Sequence, residues 1–356
     1  MSESYSIHGE IPLTSRAAAS VIYVLQCMFP RSSRLEDARQ ANVRAIARRL
    51  SSKLAHKDRT RGRTLEIERR KDLGEREFVR EYLNRGLPVI FDGQAAGWGC
   101  ARKWGLDFLR DELGDRKLSL YDSQGLVERS HDRTGGRDEP VVTEELSARE
   151  FVEGVRKGSG RYMRFSPLME TERRLVEDFD GSWLKKMRRT FFGVGYQTFI
   201  GAAGRITPIH TDTTAFFYVM ADGEKKWTLF SASSSALINP RPSSRVYNFS
   251  DLEIRKPDLA KYPGFDLISR YECTLRKGDV LFVPTWMWHE VENLSESWGV
   301  AYRFASIRGF LRYPTLAFVR LFLTQPSFFK IFWALMVART SSKAETSALT
   351  PQVFND

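Results

Sequence analysis

The chain has 356 residues, with 55 Lys and Arg against 44 Asp and Glu and a formal net charge of +11. A composition of 42% hydrophobic and 28% charged residues excludes a disordered polar chain, and the length suffices for one large domain with extensions or for two domains. Three cysteines, Cys27, Cys100 and Cys273, lie far apart and form no CxxC, which argues against a disulfide scaffold and for a reducing, cytoplasmic location.

In chain order, residues 1–13 read as a tail, and residues 15–29 and about 34–58 as helices, the second capped at Ser33. "AAASVIYVLQCMF" (17–29) is apolar but starts late and lacks a cleavage site, so no secretory leader is expected. Arg and Lys crowd the segment from Arg31 to Lys71. This reads either as a solvated helical face or as a contact for something acidic, such as nucleic acid, an anionic membrane or an acidic protein. "REFVREYLNRG" is an amphipathic helix ending at Gly86, and "LPVIFDG" a short buried strand closed by Gly93. "KWGLDFLRDELGDRKLSLYDS" repeats the scheme, "LVERSHDRTGGRDEPVV" reads as a surface loop, "SAREFVEGVRKGSG" as a Ser-capped helix and "RYMRFSP" as a strand. From about Phe191 to Ile307, short strands split by Gly, Asp, Asn and Pro predict a β barrel or sandwich, with a loop-like insert from Ser233 to Ser269. After Phe310 the pattern returns to helix. Arg312, Arg320 and Lys330 interrupt its apolar run, so no membrane-spanning helix is expected.

Within the β-rich part lies "RITPIHTDTTAFFYVMADGEKKW", with His210 and Asp212 two residues apart in a chain of five histidines. Residues i and i+2 of a strand share a face, so both side chains can enter one barrel. Two imidazoles and a carboxylate on one face of an octahedron suit ferrous iron and leave positions open for ligands. His289, after "GDVLFVPTWMW", is the candidate third ligand. Each signal alone is weak, because a histidine after an apolar strand is more often a hydrogen-bonded core residue.

Together, "ITPIHTD", "GEKKWTLF" and "KGDVLFVPTWMWHEVENL" resemble the cupin-like, JmjC-related 2-oxoglutarate oxygenases, and are similar to the asparaginyl hydroxylase of hypoxia-inducible factor. "ERRKDLGEREFVREYLNRGLPVIFDGQAAGW" and "RKWGLDFLRDELGD" resemble that family's entry segments, so the likeness runs from about residue 65 to 307. The resemblance implies a mainly β fold with flanking helices, built on a double-stranded β-helix (cupin, jelly-roll) core. It divides the chain into a basic helical extension (1–64), an α/β entry region (65–190), the catalytic core (191–309) and C-terminal helices (310–356). It implies that His210, Asp212 and His289 bind Fe(II), that Lys225 and Thr207 hold 2-oxoglutarate, and that O2 is the second cosubstrate. Lys226, on the opposite strand face, is expected to point outward. Two positions depart from the family pattern: Arg303 and Phe216 stand where asparagine is usual. Arg303 is expected either to join Lys225 on a carboxylate, to grip an acidic substrate, or to face solvent. Phe217, Trp286 and Trp288 are candidate pocket aromatics.

The implied activity is hydroxylation of a C–H bond of a protein or peptide side chain, with release of succinate and CO2. The alternatives are hydroxylation of tRNA or of a small metabolite and, in another class, a non-catalytic cupin-like binding protein. The C-terminal helices are expected to form a homodimer interface or to pack on the barrel, with peripheral membrane contact as the other reading of their apolar face.

Overall fold

The computed structural model describes residues 11–29, 32–57, 61–121, 142–166, 168–190, 195–241 and 248–323. Most of the surface loop expected around 126–142, the start of the tail, and the chain beyond residue 323 lie outside them.

Two helices open the chain, α1 (Leu13–Met28) and α2 (Ser33–Ala55). The cap of α2 is Ser32 rather than Ser33, and its hydroxyl accepts the Leu35 amide at 3.4 Å. Val43, Ile46, Leu50 and Leu54 form the buried stripe of α2, at helical spacing, while Arg34, Arg44, Arg48 and Lys53 stay exposed. Strands β1 (Thr64–Glu66) and β2 (Arg69–Arg70) follow, then α3 (Glu75–Phe78), which continues as a π-helical turn, Val79–Leu83. Next come β3 (Val89–Phe91), α4 (Gly99–Lys103), α5 (Leu106–Leu113), and the hairpin of β4 (Lys117–Tyr121) and β5 (Val142–Ser147). Helix α6 (Ala148–Arg156) starts with a reciprocal capping box between Ser147 and Glu150. After β6 (Tyr162–Ser166) and α7 (Gly181–Arg188), the chain is mostly strand. These strands are β7 (Gly195–Gly201), β8 (Ile206–Thr211), β9 (Ala215–Asp222), β10 (Glu224–Phe230), β11 (Asn248–Phe249), β12 (Arg270–Arg276), β13 (Val280–Val283), β14 (Trp288–Asn293) and β15 (Ser297–Phe304). The segment expected to be loop-like after Ser233 includes a helical turn, Ser235–Ile238.

The strands make a jelly-roll of two facing sheets. One has the order β1-β12-β10-β14-β8-β11, the other β2-β3-β13-β9-β15-β7-β6. Pairing is antiparallel throughout the centre of both and, among the described residues, parallel only at β1–β12 and β2–β3. Phe216, Tyr218, Trp227, Leu229, Leu281 and Ala301 belong to the core between the sheets. The outer face of the seven-stranded sheet, with Phe217, Val219, Phe282 and Val300, packs on the α3–α7 region through Phe78, Phe151 and Leu184. The outer face of the other sheet, with Ile209, Phe230 and Trp288, receives Val43, Ile46 and Leu50 of α2. The helices therefore bury the two outward faces and leave the inter-sheet space for the site.

No helix among the described residues is long and apolar enough to cross a membrane. The cysteines form no disulfide. At the C-terminal side, Leu311, Phe318 and Phe322 are exposed.

Candidate active site

Strands β8 and β14 run antiparallel with His210 directly opposite His289, ring centroids 4.1 Å apart. The register breaks between His289 and Val291, a bulge that lets Thr207 and His210, three residues apart, both line the interior. Each imidazole Nδ1 meets the carbonyl two residues before it, Pro208 O at 2.8 Å and Met287 O at 3.0 Å. A carbonyl only accepts, so both Nδ1 atoms carry the proton and Nε2 is the nitrogen of each ring that bears the lone pair. Asp212 follows β8 immediately. Its backbone carbonyl accepts the amide of Trp286, a residue held at φ +65. One ligand atom from each of His210, Asp212 and His289 lies within 4.8 Å of the others, and all three side chains are buried. Burial, reinforced by the neighbouring His289, pushes the His210 imidazole down to about 3. Burial opposes ionisation of Asp212 as well, but the Arg303 guanidinium and the two imidazoles outweigh it and hold the carboxyl below its ordinary range.

A second polar cluster closes the other end. Lys225 is fully buried on β10, opposite Asn293 of β14, and donates to Asn293 Oδ1 at 2.6 Å. Asn293 Nδ2 in turn donates to Ala202 O at 3.0 Å. The Tyr162 and Thr207 hydroxyls are 3.0 Å apart, and the Lys225 ammonium stands 5.2 Å from the Tyr162 ring centre. Burial, then the charge of Arg164, pushes Lys225 down to about 7. Lys226 points outward and pairs with Glu272 at 3.5 Å. Phe216, Tyr218, Trp227 and Val291 line the space between the ends, and Trp227 lies stacked on His289 at 5.6 Å.

Three expectations are corrected. Phe217 is on the outward face of β9 and packs on Phe78 and Phe91, because its neighbour Phe216 takes the inward face. Trp288 precedes His289 and so faces outward, into the core under α2, with its Nε1 donating to Ser235 Oγ at 2.9 Å. Trp286 packs on Phe310, Tyr23 and Leu316 outside the barrel. Arg303 does line the interior, but its partners are Asp212, Thr214 and Gln197, not Lys225. The structure adds Tyr162, Asn293, Trp227 and Gln197. Trp227 was within reach, two residues after Lys225 on the same strand face.

A jelly-roll whose interior presents a His-x-Asp…His triangle at one end and a buried lysine at the other defines the class of metal-dependent oxygenases. Residues 75–308 match the family described as the cupin-like domain. "Lysine-specific demethylase 8" of Xenopus tropicalis is 27% identical over 228 residues, covering 63% of this chain and 49% of that protein. "tRNA wybutosine-synthesizing protein 5" of Homo sapiens is 25% identical over 262 residues, covering 67% of this chain and 77% of that protein. "HSPB1-associated protein 1" of Rattus norvegicus is 37% identical over 98 residues, 27% of this chain and 20% of that protein. The chain spans about half the length of the demethylase relatives it matches. The chain belongs to the cupin-like domain family, of the JmjC-related type that takes Fe(II), 2-oxoglutarate and O2.

The residues present fit that set. Two neutral imidazoles with fixed tautomers and one ionised carboxylate suit ferrous iron. A buried ammonium with no carboxylate partner among the described residues, 5.2 Å from the ring centre of Tyr162, whose hydroxyl meets that of Thr207, suits the far carboxylate of 2-oxoglutarate. The cavity beside the triad, which Tyr162 and Thr207 also line, is narrow, about 20 Å³, room for the centres of one or two waters.

Proposed function

We propose that this chain is an Fe(II)- and 2-oxoglutarate-dependent hydroxylase acting on a C–H bond of a protein or peptide side chain. The observation that carries the reading is the pairing, within one interior, of the His210–Asp212–His289 triangle with the buried Lys225–Thr207–Tyr162 cluster. When bound, the iron with its cosubstrates supplies the oxidising equivalents, and succinate and CO2 leave. The protein's residues bind, orient and exclude water. His210 and His289 offer Nε2 because the carbonyls of Pro208 and Met287 hold Nδ1. Lys225 neutralises the far carboxylate, and Thr207 with Tyr162 fixes its direction. The aromatic walls keep bulk water from the reacting carbon.

A demethylase oxidises a methyl C–H first too, so the names of the demethylase relatives fit the same opening step. RNA is the second reading. It is favoured by the exposed Arg34, Arg44, Arg48 and Lys53 of α2 and by the relative named for wybutosine synthesis. We further infer a homodimer through the C-terminal helices, supported by exposed Leu311, Phe318 and Phe322, and testable by mass in solution. The test of the main reading is succinate formation with Fe(II) and 2-oxoglutarate, against peptide, RNA and metabolite pools, with mass analysis of each. A gain of about 16 Da on a peptide coupled to succinate is the expected result. Equal succinate with and without every pool would refute a coupled hydroxylase, and absence of succinate would favour a non-catalytic binding protein.

A further inference from the structure

Arg303 stands on β15 with its side chain directed into the barrel, 9% exposed. Its guanidinium ties together two segments, the β8–β9 connection and strand β7. Nη2 lies 2.7 Å from Asp212 Oδ1, Nε donates to Thr214 Oγ1 at 3.1 Å, and Nη1 donates to Gln197 Oε1 of β7. The planar fork is therefore fixed by two neutral acceptors while it holds the carboxylate. Asp212 Oδ1 is enclosed, and the carboxylate has no other side-chain partner among the described residues.

The consequence is chemical. A carboxylate that gives both oxygens to a metal occupies two coordination positions, whereas one that gives a single oxygen occupies one. With two imidazoles already bound, single-oxygen binding leaves three positions of an octahedron, and two-oxygen binding leaves two. A cosubstrate that chelates through a keto and a carboxylate oxygen needs two positions, and O2 needs one more.

We propose that Arg303 is a positioning residue that occupies Asp212 Oδ1, so that Asp212 binds the metal through one oxygen and the position needed by the cosubstrate and O2 stays open. This rests on the triad being a metal site, and the experiment separates the two ideas. The protein is titrated with Co(II), followed by visible absorption, and the Co(II) form is then titrated with 2-oxoglutarate by calorimetry. The variants are Arg303→Met, near in length and uncharged, and Arg303→Lys, which keeps the charge but not the fork.

For the unaltered protein one equivalent of Co(II) is expected. For Arg303→Met, Co(II) affinity is expected to stay within about tenfold of the unaltered protein, the low end for partners of metal ligands, while 2-oxoglutarate affinity falls further than Co(II) affinity, by more than about tenfold. The Co(II) spectrum before cosubstrate addition should also change, as the carboxylate takes a second position. Arg303→Lys should fall between the two, and it serves as the test if Arg303→Met fails to fold. A variant that keeps the spectrum and both affinities would overturn the proposal alone. Equal losses of Co(II) and 2-oxoglutarate binding would also overturn it, making Arg303 a general support. Absence of Co(II) binding by the unaltered protein would overturn the metal reading beneath it.

Discussion

Lys225 gives the sharpest quantitative test. It is fully buried, with Asn293 as its hydrogen-bond acceptor and no carboxylate beside it among the described residues. Desolvation, then Arg164, lowers its pKa from 10.5 to about 7. In the unfolded chain the group keeps the ordinary value, so between pH 7 and 10.5 the unfolded state binds more protons. The stabilisation by neutral Lys225 is thus full above 10.5 and is lost as pH falls to about 7. At about 1.4 kcal/mol per unit, the charged form at pH 7 costs the ligand-free protein up to about 5 kcal/mol. Lys225→Met removes that cost but leaves Asn293 Oδ1 unpaired, at about 1–3 kcal/mol, so a net gain of about 2–4 kcal/mol is expected. Urea denaturation without ligand at pH 7 and 9.5 measures it. The unaltered protein should gain about 3 kcal/mol between these values and the variant nothing from this site. The cosubstrate reverses the balance, because its dianion demands a charged lysine. At pH 8 only about one free lysine in ten is protonated. Calorimetry in buffers of different ionisation heat should then show uptake of about 0.9 proton on 2-oxoglutarate binding. Binding with no proton uptake at pH 8, or undiminished binding by Lys225→Met, would refute the assignment of this lysine as the anchor.

Other outcomes follow from the same contacts. Asp212→Ala should abolish one-equivalent Co(II) binding and succinate formation, and retained turnover would remove the triad from the mechanism. Tyr162→Phe withdraws the partner of the Thr207 hydroxyl, so the Kd for 2-oxoglutarate should rise about 3- to 10-fold with metal affinity unchanged, read by calorimetry. In Gly299→Ala the new Cβ would stand 2.2 to 2.4 Å from the Tyr218 ring and hydroxyl, an overpacking cost of about 1–3 kcal/mol visible as a lower urea midpoint. Asp279 accepts the Gly93 and Arg276 amides at 3.1 and 2.9 Å and pairs with Arg69. Asp279→Ala should cost about 2–4 kcal/mol by thermal unfolding, because it strips the turn that starts β13.

What could be read from the sequence, and what could not, comes down to strand parity. The entry helices and most strands are legible because their apolar period is regular, and α2 shows its stripe while its arginines stay out. His210, Asp212, His289 and Lys225 are legible because few residue types do their chemistry. The aromatics are not, because β9 is buried along nearly its whole length, so alternation between Phe216 and Phe217 leaves no trace in hydrophobicity. Trp288 is different. It adjoins His289, and the two-residue period alone sends it to the opposite face. Asn293 needs one further fact. Counting in twos from His289 reaches Val291 and Asn293, and the register sets these two against Trp227 and Lys225. Register is a property of two strands distant in sequence, so the Lys225–Asn293 pair emerges only when β10 and β14 meet. Thr207 breaks the counting rule altogether. It lies an odd number of residues from His210, and both turn inward because the β8–β14 ladder slips at the bulge. Arg303 depends on the same three-dimensional parity. Once Phe216 is inward its strand partner Arg303 is inward as well, and a guanidinium held there finds the one carboxylate the metal also needs.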